Sequence, residues 1–364
     1  MNKKESIKKY YYDIVPAYNF DGTLTYCSEY QLSVGDLVKI SIRNKILLGC
    51  VLKQVKSKPY IKVKIKNIIE VFSLFSLNNN EINFLIWVSN YNMIHLGATF
   101  KLALPNLKLI EPIKKTYYKK NINYKSKITE KQKKFINLIT NDLHSEEELI
   151  YKKKYKKNFI LNLLKKNAIL KKVHHSPFKV SLDKKNIKLN KLTSEQQQAY
   201  EDILKKFHKD KPIFLDGITG SGKTEIYFKI IKFFLDKKKQ VLVLLPEIAL
   251  STQWIKRFYK IFNFKPLIWN STIKTSEKKK IWQACNKGDP LVVIGARSSV
   301  FLPFMNLGVI IVDEENDSSY KQEDKNIYNA RDMAVVKSKF SKSETILVSA
   351  TPSMETFYNF KKKK

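Results

Sequence analysis

Gly217, four further residues, and then Gly222-Lys223-Thr224 form the spacing of a phosphate-binding loop. In the full stretch Asp216-Gly217-Ile218-Thr219-Gly220-Ser221-Gly222-Lys223-Thr224-Glu225, glycines let the backbone curl until successive N–H groups face one anion. The apolar run Pro212–Leu215 leads in and the helix-compatible run Ile226–Ile231 leads out. This predicts strand, loop and helix, with the positive end of the helix dipole on the anion. Lys223 is then placed for the β- and γ-phosphates of ATP, and Thr224 for Mg²⁺. About ninety residues on, Asp313-Glu314 follows the apolar run Val309–Val312. Asp313 is the expected Mg²⁺ partner, through a water ligand, and Glu314 the residue that polarises the attacking water.

Other blocks stand at the ends of similar runs. Thr193 is placed to cap a helix and Gln196 to read an adenine edge with its amide. Pro246-Glu247-Ile248-Ala249-Leu250 follows one apolar run, and Gly295-Ala296-Arg297-Ser298-Ser299 another, with Arg297 positioned to grip a nucleic-acid phosphate. Ser349-Ala350-Thr351-Pro352 closes the series, its hydroxyls placed to link the γ-phosphate site to a neighbouring surface.

The elements that must position these groups are of three kinds. Residues 190–364 alternate helical segments with the continuous apolar runs Val241–Leu245, Leu291–Ile294, Val309–Val312 and Thr345–Val348. Buried parallel strands read this way, and ligands of such doubly wound α/β domains lie at the carboxyl ends of the strands. Residues 1–112 alternate as β-strands do: Asp36–Ile42 and Leu47–Leu52 flank an Arg43-Asn44-Lys45 turn, Tyr60–Ile65 is a further strand, and Asn80–Val88 reads as a helix. A small β-barrel or sandwich with a C-terminal helix is expected there. The lysine-rich stretch 113–128 reads as a linker. Residues 129–185 carry helical stripes, Phe135-Ile136-Ile139 and Phe159-Ile160-Leu163-Leu164, followed by Lys179–Leu182. They suit a winged-helix module or a plain helical spacer equally.

Composition bounds the partners. The chain has 364 residues and a formal charge of +35, which favours a polyanion, above all nucleic acid. Only four residues are arginine, leaving 64 lysines among abundant Asn, Ile, Tyr and Phe. Much of that charge is the background of AT-rich coding, and the rare arginines are the ones expected in bidentate contacts. No run of 18 uncharged apolar residues and no apolar segment after Met1 calls for a membrane or a secretory route, so the cytoplasm is the expected compartment. Cys27, Cys50 and Cys285 are scattered, which argues against a zinc site or a disulfide framework.

Taken together, the blocks resemble superfamily 2 helicases, and more narrowly the PriA family of replication-restart helicases. The resemblance rests on Asp216–Glu225, Leu245–Leu250, Ile294–Ser298 (Ala296 replaces the family's Thr), Asp313–Gln322 and Tyr328–Asp332. It implies a RecA-like P-loop lobe preceded by a β-barrel-type DNA-binding domain and a winged-helix-like domain. It implies ATP-driven 3′-to-5′ movement on single-stranded DNA at abandoned forks. The implied partners are branched DNA, primosome and helicase-loading proteins and a single-stranded-DNA-binding protein. It places Tyr320, Lys321, Arg331, Ser349 and Thr351 with Arg297 in DNA contact or coupling, and Thr25, Gly35 and Lys66 in a pocket for a DNA 3′ end. Asn316 stands where the family has His, which keeps a hydrogen bond but no titratable charge. The family's second lobe, with its arginine finger worth roughly 10³ to 10⁵ in rate, and its cysteine-rich zinc region are not in these residues. A product cut short at the adenine-encoded run Lys361–Lys364 is one expectation. Two rivals follow: a non-catalytic fork-binding module with a relic lobe, and a P-loop ATPase unrelated to DNA.

Overall fold

The structure is a computed structural model. It describes residues 8–56, 64–104, 106–139, 142–146, 148–176, 178, 180, 187–209, 211–246 and 252–362. The chain divides into two units, residues 1–110 with 179–364, and residues 111–178.

In the first unit, six strands make one sheet: β1 (Tyr10–Pro16), β2 (Leu24–Ser28), β3 (Asp36–Ile42), β4 (Lys45–Val55), β5 (Lys66–Asn67) and β6 (Glu70–Ser76). Their order is β5-β2-β1-β4-β3-β6. The expected turn is a two-residue one, Arg43 and Asn44, with φ of 42° and 65°. Positive φ at both central residues matches the right-handed twist of the flanking strands. The edge strands β5 and β6 are separated only by Ile68 and Ile69, whose amides bond to Cys27 O and Lys39 O. The two edges of the sheet therefore lie side by side. Tyr12, Ile14, Tyr26, Val38, Ile40 and Val51 fill the inside. The Tyr60–Ile65 strand expectation falls mostly outside the described residues. Helices α1 (Asn79–Tyr91), α2 (Leu96–Ala103) and α3 (Leu107–Ile110) follow. Asn78 caps α1 by accepting from Glu81 N at 2.8 Å.

The second unit contains β7 (Ile113–Lys120), α4 (Glu130–Leu138), β8 (His144–Ser145), a π-helical turn at Glu148–Lys152, α5 (Lys157–Lys165) and β9 (Ile169–Ser176). The antiparallel sheet has the order β8-β7-β9. Residues 113–120 are thus not linker but a strand, paired with β9 from Ile113↔Ser176 to Lys120↔Ile169. Lysine-rich Ile-Lys-Lys-Thr-Tyr-Tyr-Lys-Lys lacks clean alternation, and pairing with a distant strand overrides that weak local signal. Phe135, Ile136, Ile139, Ile160 and Leu163 form its core, as their spacing predicts. Of Lys179–Leu182, only residue 180 is among the described residues.

The remaining elements build the lobe. They are α6 (Ser194–Lys206), β10 (Ile213–Asp216), α7 (Lys223–Asp236), β11 (Gln240–Leu244), α8 (Thr252–Phe262), β12 (Leu267–Trp269), α9 (Thr275–Lys287) and β13 (Val292–Gly295). Then come β14 (Leu307–Asp313), β15 (Lys321–Gln322), β16 (Tyr328–Asn329), α10 (Ala330–Ser341), β17 (Glu344–Ser349) and α11 (Met354–Lys361). The parallel sheet runs β10-β17-β14-β11-β13-β12. The apolar runs are its strands, buried on both faces as such runs must be. Register pairs Asp216 with Ser349, Asp313 with Val348, and Leu244 with both Val312 and Gly295. One edge of the sheet therefore collects the strand ends that carry the motifs.

A buried seam joins the lobe to the first six strands and their helices. Trp282 Nε1 donates to Ala103 O at 2.7 Å, Gln283 Nε2 to Leu109 O at 2.9 Å and Asn286 Nδ2 to Ser76 O at 2.7 Å. Phe75 meets Trp282 edge-on at 5.5 Å. These side chains satisfy the carbonyls at the ends of β6, α2 and α3, which would otherwise be buried without partners.

Candidate nucleotide-binding site

The loop between β10 and α7 has the conformation its glycines permit. Gly220 and Gly222 both have φ of 84°. A Cβ on Gly222 would collide with the amide of Gln196, and one on Gly217 would stand 2.8 Å from Ser221 Oγ. Lys223 is largely buried, and its ammonium donates to the loop's own Gly217 O at 2.5 Å and Ile218 O at 3.3 Å. Ile218 at the loop tip is 79% exposed.

Gln196 lies against this loop, with both ends of its amide engaged. Oε1 accepts from Thr193 N at 3.0 Å, closing a capping box at the start of α6, and Nε2 donates to Ser221 O at 2.9 Å. In this arrangement Gln196 clamps the loop to α6. Reading an adenine edge would require the amide to leave these partners.

Asp313 ends β14 beside the loop. Its Oδ2 accepts from Tyr227 Oη at 2.9 Å, and Tyr227 Oη in turn accepts from Trp254 Nε1 at 2.8 Å. Its Oδ1 accepts from Glu314 N at 3.1 Å. Burial pushes the Asp313 carboxyl above the usual carboxylate range, against the pull of the Tyr227 hydrogen bond. Burial, helped by the charge of Asp313, pushes the Tyr227 phenol well above its ordinary value. Glu314 adopts φ of 45°, a left-handed conformation unusual for Glu. Neither Tyr227 nor Trp254 stands out in the sequence. Tyr227 is four residues after Lys223, on the same face of α7, and that spacing is the signal it offers.

Behind the acidic pair, two networks tie strand ends together. Asn316 Oδ1 accepts from Ser349 Oγ at 2.8 Å, its Nδ2 donates to Thr351 Oγ1 at 3.3 Å, and Thr351 N donates to Ser349 Oγ at 3.0 Å. The Asn in this position thus bridges the two blocks with both ends of its amide. Glu315, 2% exposed, accepts from Arg331 Nη1 at 3.1 Å, Ser353 N at 2.7 Å and Thr356 Oγ1 at 2.9 Å. Arg331 also donates to Asp332 and to Ser353 Oγ at 2.8 Å. Arg331 is therefore an internal brace.

Tyr320 is 1% exposed, with its hydroxyl on Asp313 O at 2.6 Å and Leu244 O at 3.0 Å. Of the two expected roles, DNA contact or coupling, so buried a ring suits coupling: it buttresses the acidic strand. Arg297 Nη1 donates to Lys321 O at 2.9 Å, steadying the β15–β16 hairpin, and Lys321 pairs with Glu323 at 3.1 Å. Glu225, next to Thr224, is held by Arg257 and by Asn190 Nδ2 at 3.1 Å. Of the block 246–250, residues 247–250 lie outside the described residues.

Comparison with known proteins agrees with this geometry. Residues 193–360 match the DEAD/DEAH box helicase family, and residues 13–105 match the 3′DNA-binding domain (3′BD). The Replication restart protein PriA of Rickettsia conorii is 38% identical over 329 residues, 90% of this chain and 40% of that protein. That of Bacillus subtilis is 40% identical over 187 residues, 51% of this chain and 23% of that protein. The chain is similar to PriA proteins along about nine tenths of its own length. It spans about 40% of the length of the Rickettsia PriA proteins it matches. Among solved structures, RecG bound to a three-way DNA junction matches 47% of this chain and 22% of its own, at 27% identity and a TM-score of 0.36.

Within the PriA 3′DNA-binding match, Thr25 and Lys66 line one cavity of about 340 Å³, together with Ser41 and Arg43. Thr25 Oγ1 donates to Asp13 Oδ1 at 2.8 Å. Gly35 is not part of that cavity. It has φ of 92°, and a Cβ there would strike the carbonyl oxygen of Leu77. Glycine is needed at this corner for the chain to turn. Arg43 is the cavity residue that the sequence reading missed as a site, although its rarity as an arginine was the available signal.

The donor set fits Mg²⁺-ATP. Amides at a helix start suit phosphates, and the Thr224 hydroxyl and Asp313 carboxylate are hard oxygen donors. Mg²⁺ bound with a nucleotide needs only one or two protein ligands. A metal-binding group of three His, Cys, Asp or Glu is absent among the described residues, and this is compatible with such a site.

Proposed function

We propose that this chain is the DNA-end-recognising and nucleotide-binding part of a replication-restart helicase. The observation that carries the reading is the joining of a phosphate loop and acidic pair to the cavity of a 3′DNA-binding domain within one unit. In this reading Lys223 leaves the Gly217 and Ile218 carbonyls for the β- and γ-phosphates. The amides of Gly220–Thr224 hold the α- and β-phosphates. Thr224 and Asp313 would hold Mg²⁺, which when bound would supply charge neutralisation to the phosphates. Tyr227 keeps Asp313 oriented, and Glu314 orients the attacking water. Asn316, Ser349 and Thr351 relay the state of this site to the DNA side, with Arg297, Lys321 and Arg331 bracing the surface that meets the strand.

The curled N-terminal sheet acts as a barrel-like holder in which Thr25, Arg43 and Lys66 receive the 3′ end of a nascent strand. The unit of residues 111–178 serves as a winged helix against duplex DNA, a role favoured by its helices on a three-stranded sheet. Branched DNA, primosome and helicase-loading proteins and a single-stranded-DNA-binding protein are the partners, and the cytoplasm is the compartment. Unwinding in the 3′-to-5′ direction is the activity this reading assigns to the motor. A non-catalytic fork-binding module is the second reading, favoured by the capped, fully engaged state of Lys223 and Gln196 at the loop.

The test measures a fluorescent ATP analogue and a forked DNA with a 3′-hydroxyl end on the whole chain. Both should bind, the DNA more weakly as salt rises, and Lys223→Ala should abolish nucleotide binding while sparing DNA. Failure to bind either ligand overturns the proposal. DNA-stimulated ATPase activity selects the motor, and binding without turnover selects the module.

A further inference from the structure

Helix α10 has a lysine where its pattern asks for an apolar residue. Its buried stripe runs Ala330, Met333, Ala334, Lys337, Ser338, the i, i+3, i+4, i+7, i+8 spacing of a core-facing helix. Lys337 is 1% exposed, and its ammonium donates to Glu81 Oε2 at 2.8 Å and Leu302 O at 2.8 Å. It also lies 5.1 Å from the Phe84 ring and 5.5 Å from that of Phe304. Glu81, on the first turn of α1, is 3% exposed. Burial pushes the Glu81 carboxyl up and the Lys337 ammonium down, while each partner opposes the shift of the other.

A buried pair of this kind is no better for stability than a well-packed apolar pair. What it adds is orientation. One placement of α1 on α10 satisfies Lys337, Glu81 and Leu302 O together. Glu81 belongs to the part of the chain that matches the 3′DNA-binding domain, residues 13–105.

The same helix begins at the nucleotide site. Arg331, in its first turn, holds Glu315, and Glu315 directly follows Asp313-Glu314. Arg331 and Lys337 are six residues apart, about 9 Å along the axis. A helix that short moves as a rigid body, so a shift of Glu315 at one end is a shift of Glu81 at the other.

We propose that α10 is a strut coupling the two sites, with Lys337 and Glu81 as its positioning pair. A DNA 3′ end bound in the N-terminal portion then changes nucleotide affinity in the lobe, and nucleotide changes end affinity by the same factor. This builds on the nucleotide- and end-binding reading above.

The experiment titrates a fluorescent Mg²⁺-nucleotide into the full chain, alone and with a saturating 3′-hydroxyl oligonucleotide, and then reverses the order. The expected result is an affinity change of about fivefold or more, equal in both directions. In the Glu81→Leu/Lys337→Met double variant each ligand alone binds within about twofold of the parent, and the coupling factor falls to one. Glu81→Gln, which keeps the shape, replaces the double variant if that fails to fold. Gln283→Leu loosens the seam at α9 without touching α10 and should keep the coupling. A factor of one in the parent, full coupling in the double variant (or in Glu81→Gln where it stands in), or equal loss in Gln283→Leu overturns the strut. Loss of either ligand alone in the parent overturns the underlying reading; independent binding of both overturns only the coupling.

Discussion

Tyr227 is the residue on which the acidic side of the site turns. Its hydroxyl is both donor to Asp313 and acceptor from Trp254, so replacing it leaves two half-buried polar groups without that partner. A hydrogen bond to a charged group is worth about 1.5–3 kcal/mol. Tyr227→Phe should therefore weaken Mg²⁺-dependent nucleotide binding by roughly tenfold, with Mg²⁺-free binding unchanged; titrations with and without EDTA measure the difference. Asn316 offers a second check. Its side chain orients Ser349 Oγ, which accepts from Thr351 N. In Asn316→Ala, amide exchange at Thr351 should quicken by about tenfold, the equivalent of one modest hydrogen bond, and nucleotide affinity should not move. The types of these residues hid their roles. A tyrosine in an apolar helix reads as core, and Arg331 and Tyr320 read as surface groups until partners distant in sequence, Glu315 and Leu244, bury them.

Among the elements, those legible in the sequence are the ones whose local signals agree with their tertiary setting. The apolar runs before Asp216, Asp313 and Ser349 are parallel strands because both faces are covered, and a continuous run is what such a position selects. Arg43-Asn44 turns a hairpin because both residues adopt positive φ. Strand β7 was illegible because its paired lysines, Lys114-Lys115 and Lys119-Lys120, leave no alternation to read. Gly35 was the harder glycine to read, because a glycine in the right neighbourhood looks the same whether it admits a ligand or a carbonyl. Gly35→Ala should destabilise the first unit by about 3 kcal/mol through left-handed strain and overlap with Leu77 O, as read in the midpoint of urea unfolding. Were Gly35 instead a ligand position, the variant would keep its stability and lose DNA-end affinity.

At the scale of the molecule, the nucleotide lobe and the end-binding sheet are not beads on a string. Trp282, Gln283, Asn286 and Lys337 all reach across the seam between them. Lys337→Met alone strands the Glu81 carboxylate and should cost about 3–5 kcal/mol, most of it restored when Glu81→Leu is added. Thermal melting should show the loss in a single transition shared by residues 8–110 and the lobe. Two separate transitions for those portions would mean that the seam does not bind them into one cooperative body.

Trp254 gives this arrangement an optical readout. Its indole N–H is the last donor in the chain Trp254–Tyr227–Asp313, and its ring stacks on Phe258 at 5.4 Å. Emission from an indole depends on the polarity and hydrogen bonding around it, so the fluorescence of this one tryptophan reports from inside the protein on whether Asp313 has changed partners. The sequence holds three other tryptophans, Trp87, Trp269 and Trp282, and subtracting the spectrum of a Trp254→Phe variant removes their contribution. The chain thus carries its own unlabelled probe, fast enough for stopped-flow mixing, of the moment at which the acidic block is engaged.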